Sequence, residues 1–429
     1  MEAKKQNYTV PIFMMILLFG MISFVTNLAY PMGVVLKSQF GVSNLQGTLG
    51  NAMNFIAYAV MGIPGGILLQ RIGYKKTALL AIAVGFVGIA IQYASGYAGQ
   101  GTAFTVYLTG AFVAGFSMTL LNTVVNPMLN TLGGGGNRGN QFIQIGGSFN
   151  SVMATFTPAF VGILIGEAAK SQISDIFPVM YIAMGVFALI FFVLLFVKIP
   201  EPAMEYAKES LSSLMSGALK FRHFILGAIG IFVYVGVEVG VPGTMFFWLS
   251  ETSIGPTTAG SVVATYWFLM LIGRLFGASL GKVISSKMML TAASGVGMVL
   301  VLLAILFPST AEMGMPVFQS SDAGLSFGIA NVPVKALFLV LVGLCTSIMW
   351  GGIFNLAVEG LGKYVAVASG IFMTMVVGGG LLPIIQGGVS DIAGYLPSFW
   401  VPFLGLAYLL FYALIGSKVN KRADEKLKI

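Results

Sequence analysis

Only 8% of the 429 residues are charged and 57% are hydrophobic, against roughly 25% charged in an ordinary soluble domain, so no water-facing surface can be built from this chain. The net charge of +8 does not point to nucleic acid, because the basic residues stand in short clusters between apolar runs, where membrane topology accounts for them. One cysteine and one histidine exclude an internal disulfide framework and argue against a Cys/His zinc site, and no metal or cofactor is expected.

Apolar stretches of about 20 residues recur along the whole chain, each long enough to cross roughly 30 Å of hydrocarbon as a helix. They lack the ten-residue alternation of a β-barrel. The first runs from Val10 to about Leu36 behind Lys4 and Lys5; it is too long for the core of a signal peptide and is read as a retained helix. In chain order the predicted spans are 10–36, 45–69, 76–95, 104–132, 140–165 and 177–197, then 224–248, 257–284, 288–307, 335–358, 365–390 and 397–417. The charged segment from Lys198 to His223, with the composition of an amphipathic surface helix, divides them six and six. The domain plan is therefore 1–197, a linker 198–223, 224–417 and a tail 418–429.

Sorting the 22 Lys and Arg by this plan leaves only Lys37, Lys170 and Lys335 on the side opposite the termini. Positive charge favours the cytoplasmic side, so both termini are expected there. One span more or fewer would scramble so lopsided a partition.

Between spans 2 and 3 stands GILLQRIGYKK (66–76), a tight turn whose cations need helix-end carbonyls or an acidic partner. It resembles the major facilitator signature loop G-x-L-x-D-R-x-G-R-K, with Gly66, Leu68, Arg71, Gly73 and Lys75 in place, Gln70 instead of Asp and Tyr74 instead of Arg. NPMLNTLG (126–133), FNS (149–151), YVGVEVGV (234–241), TYWFLMLIGR (265–274) and GGGLLPIIQGGVSD (378–391), in that order, resemble the fucose/galactose/glucose:proton symporter family of that superfamily. The resemblance implies an all-α membrane protein with the major facilitator fold, twelve transmembrane helices in two six-helix bundles, and a substrate site near the bilayer midplane. It further implies sugar uptake by alternating access across the cytoplasmic membrane of a bacterium. The expected partners are a sugar and the lipid bilayer, with transport uncoupled or coupled to a proton or sodium ion, and the chain a monomer.

A sugar is uncharged and dense in hydroxyls, so its site needs amides and aromatic faces. In span 4, Asn122, Asn126 and Asn130 share one helix face; in span 5, Gln144, Ser148 and Ser151 form a second stripe with Asn150 beside it. Asn27 and Tyr30, Asn54 and Tyr58, Asn355 and Gln386 add further polar positions in spans 1, 2, 10 and 11. Tyr234, Tyr266 and Trp267 are candidate stacking aromatics, although packing explains any one of them as well. A lone membrane amide serves as readily in an interhelical hydrogen bond.

Alignment through Gly20 and Asn126-Pro127 places Asn27 and Asn122 where the family resembled carries its proton-titrating Asp and Glu, and neither amide can titrate. Gly147 stands where the fucose permease pattern has Gln, a departure that argues against fucose itself. Glu238, in the outer half of span 7, is an ionisable group within the membrane and hence a coupling candidate, with a structural carboxylate the equal alternative. Arg71 and Lys75 in the loop, with Arg274 and Asp391 read as lying at the cytoplasmic ends of spans 8 and 11, are candidate gating charges. His223 and Glu359 are expected to be solvated, and Cys345 to be a packing residue. Efflux of amphipathic compounds, suggested by 24 Met and 34 Phe, and a non-transporting sugar sensor are the alternatives. The chain carries no H-E-x-x-H, no C-x-x-C and no nucleophile constellation, so an enzyme is not expected.

Overall fold

The computed structural model describes residues 8–40, 44–165, 174, 177–201, 210–250, 252–281, 283–308, 310–321 and 324–419, with side chains left undescribed at some of these, including 27–52. Helix occupies every one of the twelve predicted spans. The first half holds α1 (Thr9–Phe40), α2 (Asn44–Ala94), α3 (Gln100–Leu132), α4 (Gly136–Ile165) and α5 (Phe177–Phe196). After the short α6 (Leu211–Ala218) come α7 (Arg222–Ser250), α8 (Gly255–Leu280) and α9 (Ser286–Leu306). The chain then continues through α10 (Val334–Thr346), α11 (Met349–Val358), α12 (Val365–Thr374), α13 (Gly378–Ala393), α14 (Tyr395–Ser398) and α15 (Trp400–Phe411).

Spans 2 and 3 both lie within α2, which breaks at Gly73, φ 83 and ψ 175. That left-handed conformation is open to glycine and strained for other residues, which is how a continuous helical register turns back between two spans. Spans 10 and 11 are each interrupted: α10 gives way to α11 across Ser347 and Ile348, and α12 to α13 across a 3₁₀ turn at Met375–Val377. Between α9 and α10 the chain forms an antiparallel hairpin, β1 (Glu312–Ser321) on β2 (Gly324–Pro333). This segment lay outside the predicted spans and was given no structure, because its mixed Gly, Ser and Met content has no sustained alternation.

The chain forms two compact units. The first comprises Met1–Gly135, Val152–Ser216 and Lys363–Thr374; the second Gly136–Ser151, Gly217–Gly362 and Met375–Ile429. In the first unit α2 packs on α3 and α12. A Cβ on Gly66 would come within 2.8 Å of Gly370 Cα, so the two backbones meet where neither residue carries a side chain. In the second unit α7 packs against α8, α11, α13 and α15, with Tyr234, Tyr266 and Phe354 among the fully buried side chains.

The signature loop belongs to the first unit and is held by a residue the sequence reading did not single out. Glu201, just beyond α5, accepts the backbone N–H of Tyr74 at 2.5 Å and of Lys75 at 2.9 Å. The Lys75 ammonium donates to the Leu195 carbonyl at 2.7 Å, and Arg71 is exposed. The Lys75 cation thus finds a helix-end carbonyl in span 6, while the Glu201 carboxylate just beyond that span holds the loop's backbone. Of the 198–223 linker, residues 202–209 and any helix expected over them lie outside the described residues.

Asp391 falls in the last turn of α13 (Gly378–Ala393). One charge assignment needs correction. His223 is not solvated: it is 2% exposed and its Nε2 lies 2.8 Å from the Glu359 carbonyl. The Glu359 side chain is exposed, as expected.

Candidate solute-binding site

In the first unit the amide stripe of α3 meets α2. Asn122 and Tyr58 are joined by a 2.5 Å hydrogen bond in which the amide donates to the phenol oxygen. Asn126, one turn on, donates to the Asn122 backbone carbonyl at 2.9 Å and to its side-chain oxygen at 3.2 Å. Tyr58 keeps its own O–H to donate, and Asn122 keeps a second amide proton and a second lone pair. Both residues retain a little accessible surface, as does Asn54. The result is an adjacent donor and acceptor set of the kind that suits a vicinal hydroxyl pair. Thr26 of α1 lies against Met118 Sδ at 3.1 Å, one helical turn from Asn122. Asn27 follows it in α1; its side chain, like that of Tyr30, lies outside the described residues.

In the second unit the polar groups converge on Arg274. The guanidinium stands nearly two turns before the end of α8, so it is not a helix-end charge. Its Nη2 pairs with Glu238 Oε1 of α7 at 3.4 Å, the two side chains being 12% and 14% exposed. Tyr234 donates to the same oxygen at 2.8 Å. On α4, Nη1 donates to the Gly147 carbonyl at 3.0 Å, to Ser151 Oγ at 2.8 Å and towards Asn150 Oδ1 at 3.4 Å. The coupling candidate Glu238 and the gating candidate Arg274, expected in opposite halves of the membrane, are thus one ion pair. Their separation along the sequence gave no sign of this, because the pairing depends on how α7 and α8 are staggered.

The remaining candidates in this unit are engaged in different ways. Tyr266 is fully buried, with its hydroxyl 3.1 Å from Thr346 Oγ1 and donating towards the Glu238 carbonyl at 3.3 Å. Tyr234 is equally buried and lies edge-on to Trp350, so neither ring offers a stacking face here. Trp267 is half-buried beside Tyr266. Gln144 donates to the Ile348 carbonyl at 2.9 Å, where span 10 breaks and where the Gly352 N–H also donates at 3.3 Å. Asn355 donates to Ser286 Oγ at 3.0 Å. Gln386 is 1% exposed against Gly240, and its amide nitrogen has no partner among the described residues.

Helices that fill twelve membrane-length spans, two of them interrupted, and that carry a self-paired internal charge define a polytopic α-helical membrane protein of the transporter type. The family model described as Major Facilitator Superfamily matches residues 12–383, and the chain belongs to that superfamily. It is 31% identical over 430 residues to a glucose/galactose transporter of Brucella abortus, covering 97% of this chain and 96% of that one. It is 22% identical to an L-fucose-proton symporter of Escherichia coli K12, over 97% and 95% of the two chains. A crystal structure of the E. coli fucose:proton symporter superposes with a TM-score of 0.80 at 19% identity, covering 96% of this chain and 100% of that one. At that identity the superposition shows the fold alone.

Proposed function

We propose that the chain is a secondary transporter that carries a hexose or related monosaccharide across the cytoplasmic membrane by alternating access, in the direction of uptake, with both termini in the cytoplasm. The observation that carries this is the joined set Tyr58, Asn122 and Asn126, which presents hydroxyl and amide groups suited to a neutral polyol, in a chain whose relatives include a glucose/galactose transporter over nearly its full length. In this reading Asn27 and Asn54 extend that set within the first unit, while Asn150 and Gln386 are candidate amides of the second unit taken by itself. Gln144 and Asn355 serve the protein's own packing. An efflux pump for amphipathic compounds would not need paired amides.

Coupling follows from the same residues. Asn27 and Asn122 do not titrate, and Glu238 is held by Arg274 and Tyr234. Transport is therefore expected to survive collapse of the proton gradient. The test is labelled-hexose flux into proteoliposomes with imposed proton or sodium gradients. Saturable flux without a proton gradient supports the reading. A strict proton requirement that Glu238→Gln removes would make Glu238 the carrier. Retained sugar binding with no saturable flux of any hexose would replace transport with sensing.

A further inference from the structure

Arg274 divides its bonding between two helices, unequally. The contacts of Nη1 on α4, at 3.0 Å and 2.8 Å to Gly147 O and Ser151 Oγ, are of ordinary length. The contact of Nη2 with Glu238 on α7, at 3.4 Å, is long for a charge-assisted bond, which is typically about 2.7–2.9 Å. Glu238 Oε1 is already taken at 2.8 Å by Tyr234. Two acceptor sets thus compete for one guanidinium, and the one on α4 holds it more closely.

The place on α4 matters. Residues Gly136–Ser151 belong to the second unit, and from Val152 the same helix belongs to the first. Arg274 therefore grips α4 over the last turn before the helix changes unit. Further back along α4, Gln144 bonds the Ile348 carbonyl and Asn137 Oδ1 lies 3.4 Å from the Ser286 N–H, so positions 137, 144, 147 and 151 form a seam at helical spacing. Asn140, in the same stripe, is fully buried and neither of its amide atoms has a partner among the described residues. Leaving a buried amide unpaired is costly, which favours separation of the seam into water. Gly147 leaves the room the arrangement needs: a Cβ there would lie 3.6 Å from Arg274 Cδ, and a longer side chain would take the guanidinium's place.

We propose that Arg274 is a positioning residue whose divided bonding sets how firmly residues 136–151 stay on the second unit, with Glu238 as the competing acceptor that loosens the grip. The transport consequence rests on the alternating-access reading above, but the contacts do not involve a sugar. Removing the guanidinium releases the seam. Neutralising Glu238 removes the competitor and tightens it. A plain structural ion pair would weaken in both cases.

The test is the rate of maleimide labelling of a thiol introduced by Asn140→Cys in a Cys345→Ala background, on the purified full-length chain in detergent without sugar. Arg274→Gln is expected to raise the rate about tenfold and Glu238→Gln to lower it about threefold, as population shifts from losing or strengthening bonds to a charged group. Shifts in the same direction, or no shift in either variant, overturn the proposal. If Asn140→Cys does not fold, Ser148→Cys, also buried on this stretch, gives the same readout. Opposite shifts without sugar flux would leave this inference standing and remove the sugar reading; sugar flux without opposite shifts would do the reverse.

Discussion

Glu201 accepts the backbone N–H of Lys75 at 2.9 Å and that of Tyr74 beside it, so its carboxylate caps the helical segment that restarts after Gly73. The acid that steadies the signature loop therefore comes from the start of the linker, just beyond span 6. The loop's own acid position holds Gln70, which is buried.

Glu201→Ala removes a charged cap from two N–H groups. A cap residue is ordinarily worth about 0.5–2 kcal/mol, and the ionised acceptor places this one in the upper part of that range. Thermal unfolding of the purified chain should show a lower midpoint, and Glu201→Gln, which retains one acceptor oxygen, should fall between parent and Ala.

Gly73→Ala should be worse than an ordinary glycine replacement. Its φ of 83 is costly for any residue with a Cβ, and a Cβ would strike the Glu201 carboxylate. Strain of this type runs to about 1–3 kcal/mol. Combining Gly73→Ala with Glu201→Ala should cost less than the sum of the two, because the second change removes the clash; a fully additive result would show that the two residues do not meet.

At the amide set, Asn122→Ala should weaken sugar binding about tenfold or more at unchanged expression, and Asn150→Ala should weaken it as well. Equilibrium binding on purified protein reads this directly. Tyr58→Phe and Asn122→Ala should couple by about 0.6–1.7 kcal/mol, the range for interhelical hydrogen bonds in membranes. Unchanged binding in both Asn122→Ala and Asn150→Ala would place the sugar elsewhere.

Gly370→Val should abolish the close approach of α12 to α2, since a Cβ there would lie 2.6 Å from the Gly62 carbonyl and 2.7 Å from Gly66 Cα. Backbone atoms cannot step aside as a flexible side chain does. The expected outcome is a large fall in hexose flux, with a smaller change in Gly370→Ala; flux unaffected by Val would show that this contact is dispensable.

Most of the architecture was legible because a bilayer imposes a one-dimensional rule. Runs of about 20 apolar residues have to span as helices, and every helix except α6, which lies in the linker, falls on the twelve runs so marked. The turn at Gly73 was legible for the same kind of local reason, a glycine inside a basic loop. The hairpin at 312–333 was not, since strands with irregular alternation leave little signal. The interruptions at Ser347–Ile348 and Met375–Val377 fall inside predicted spans, marked locally only by Thr346-Ser347 and by Thr374 and the Gly378–Gly380 run.

Side-chain partnerships divide along the same line. Helical spacing alone put Asn122 and Asn126 on one face, and one turn of α3 does join them. Whether an amide serves a solute or the protein was beyond that logic: Gln144 and Gln386 look alike in sequence, yet one is bonded to Ile348 and the other has an amide nitrogen with no partner among the described residues. Arg274 and Glu238 were read as belonging to different halves of the membrane, and only the stagger of α7 against α8 brought them to 3.4 Å. The sequence determined the helices, their order and the stripes each carries, because hydrophobicity and helical period act over a few turns. The tertiary structure decided which stripes meet, because a contact between residues 36 or 127 positions apart depends on the relative register of whole helices, and no local pattern encodes that.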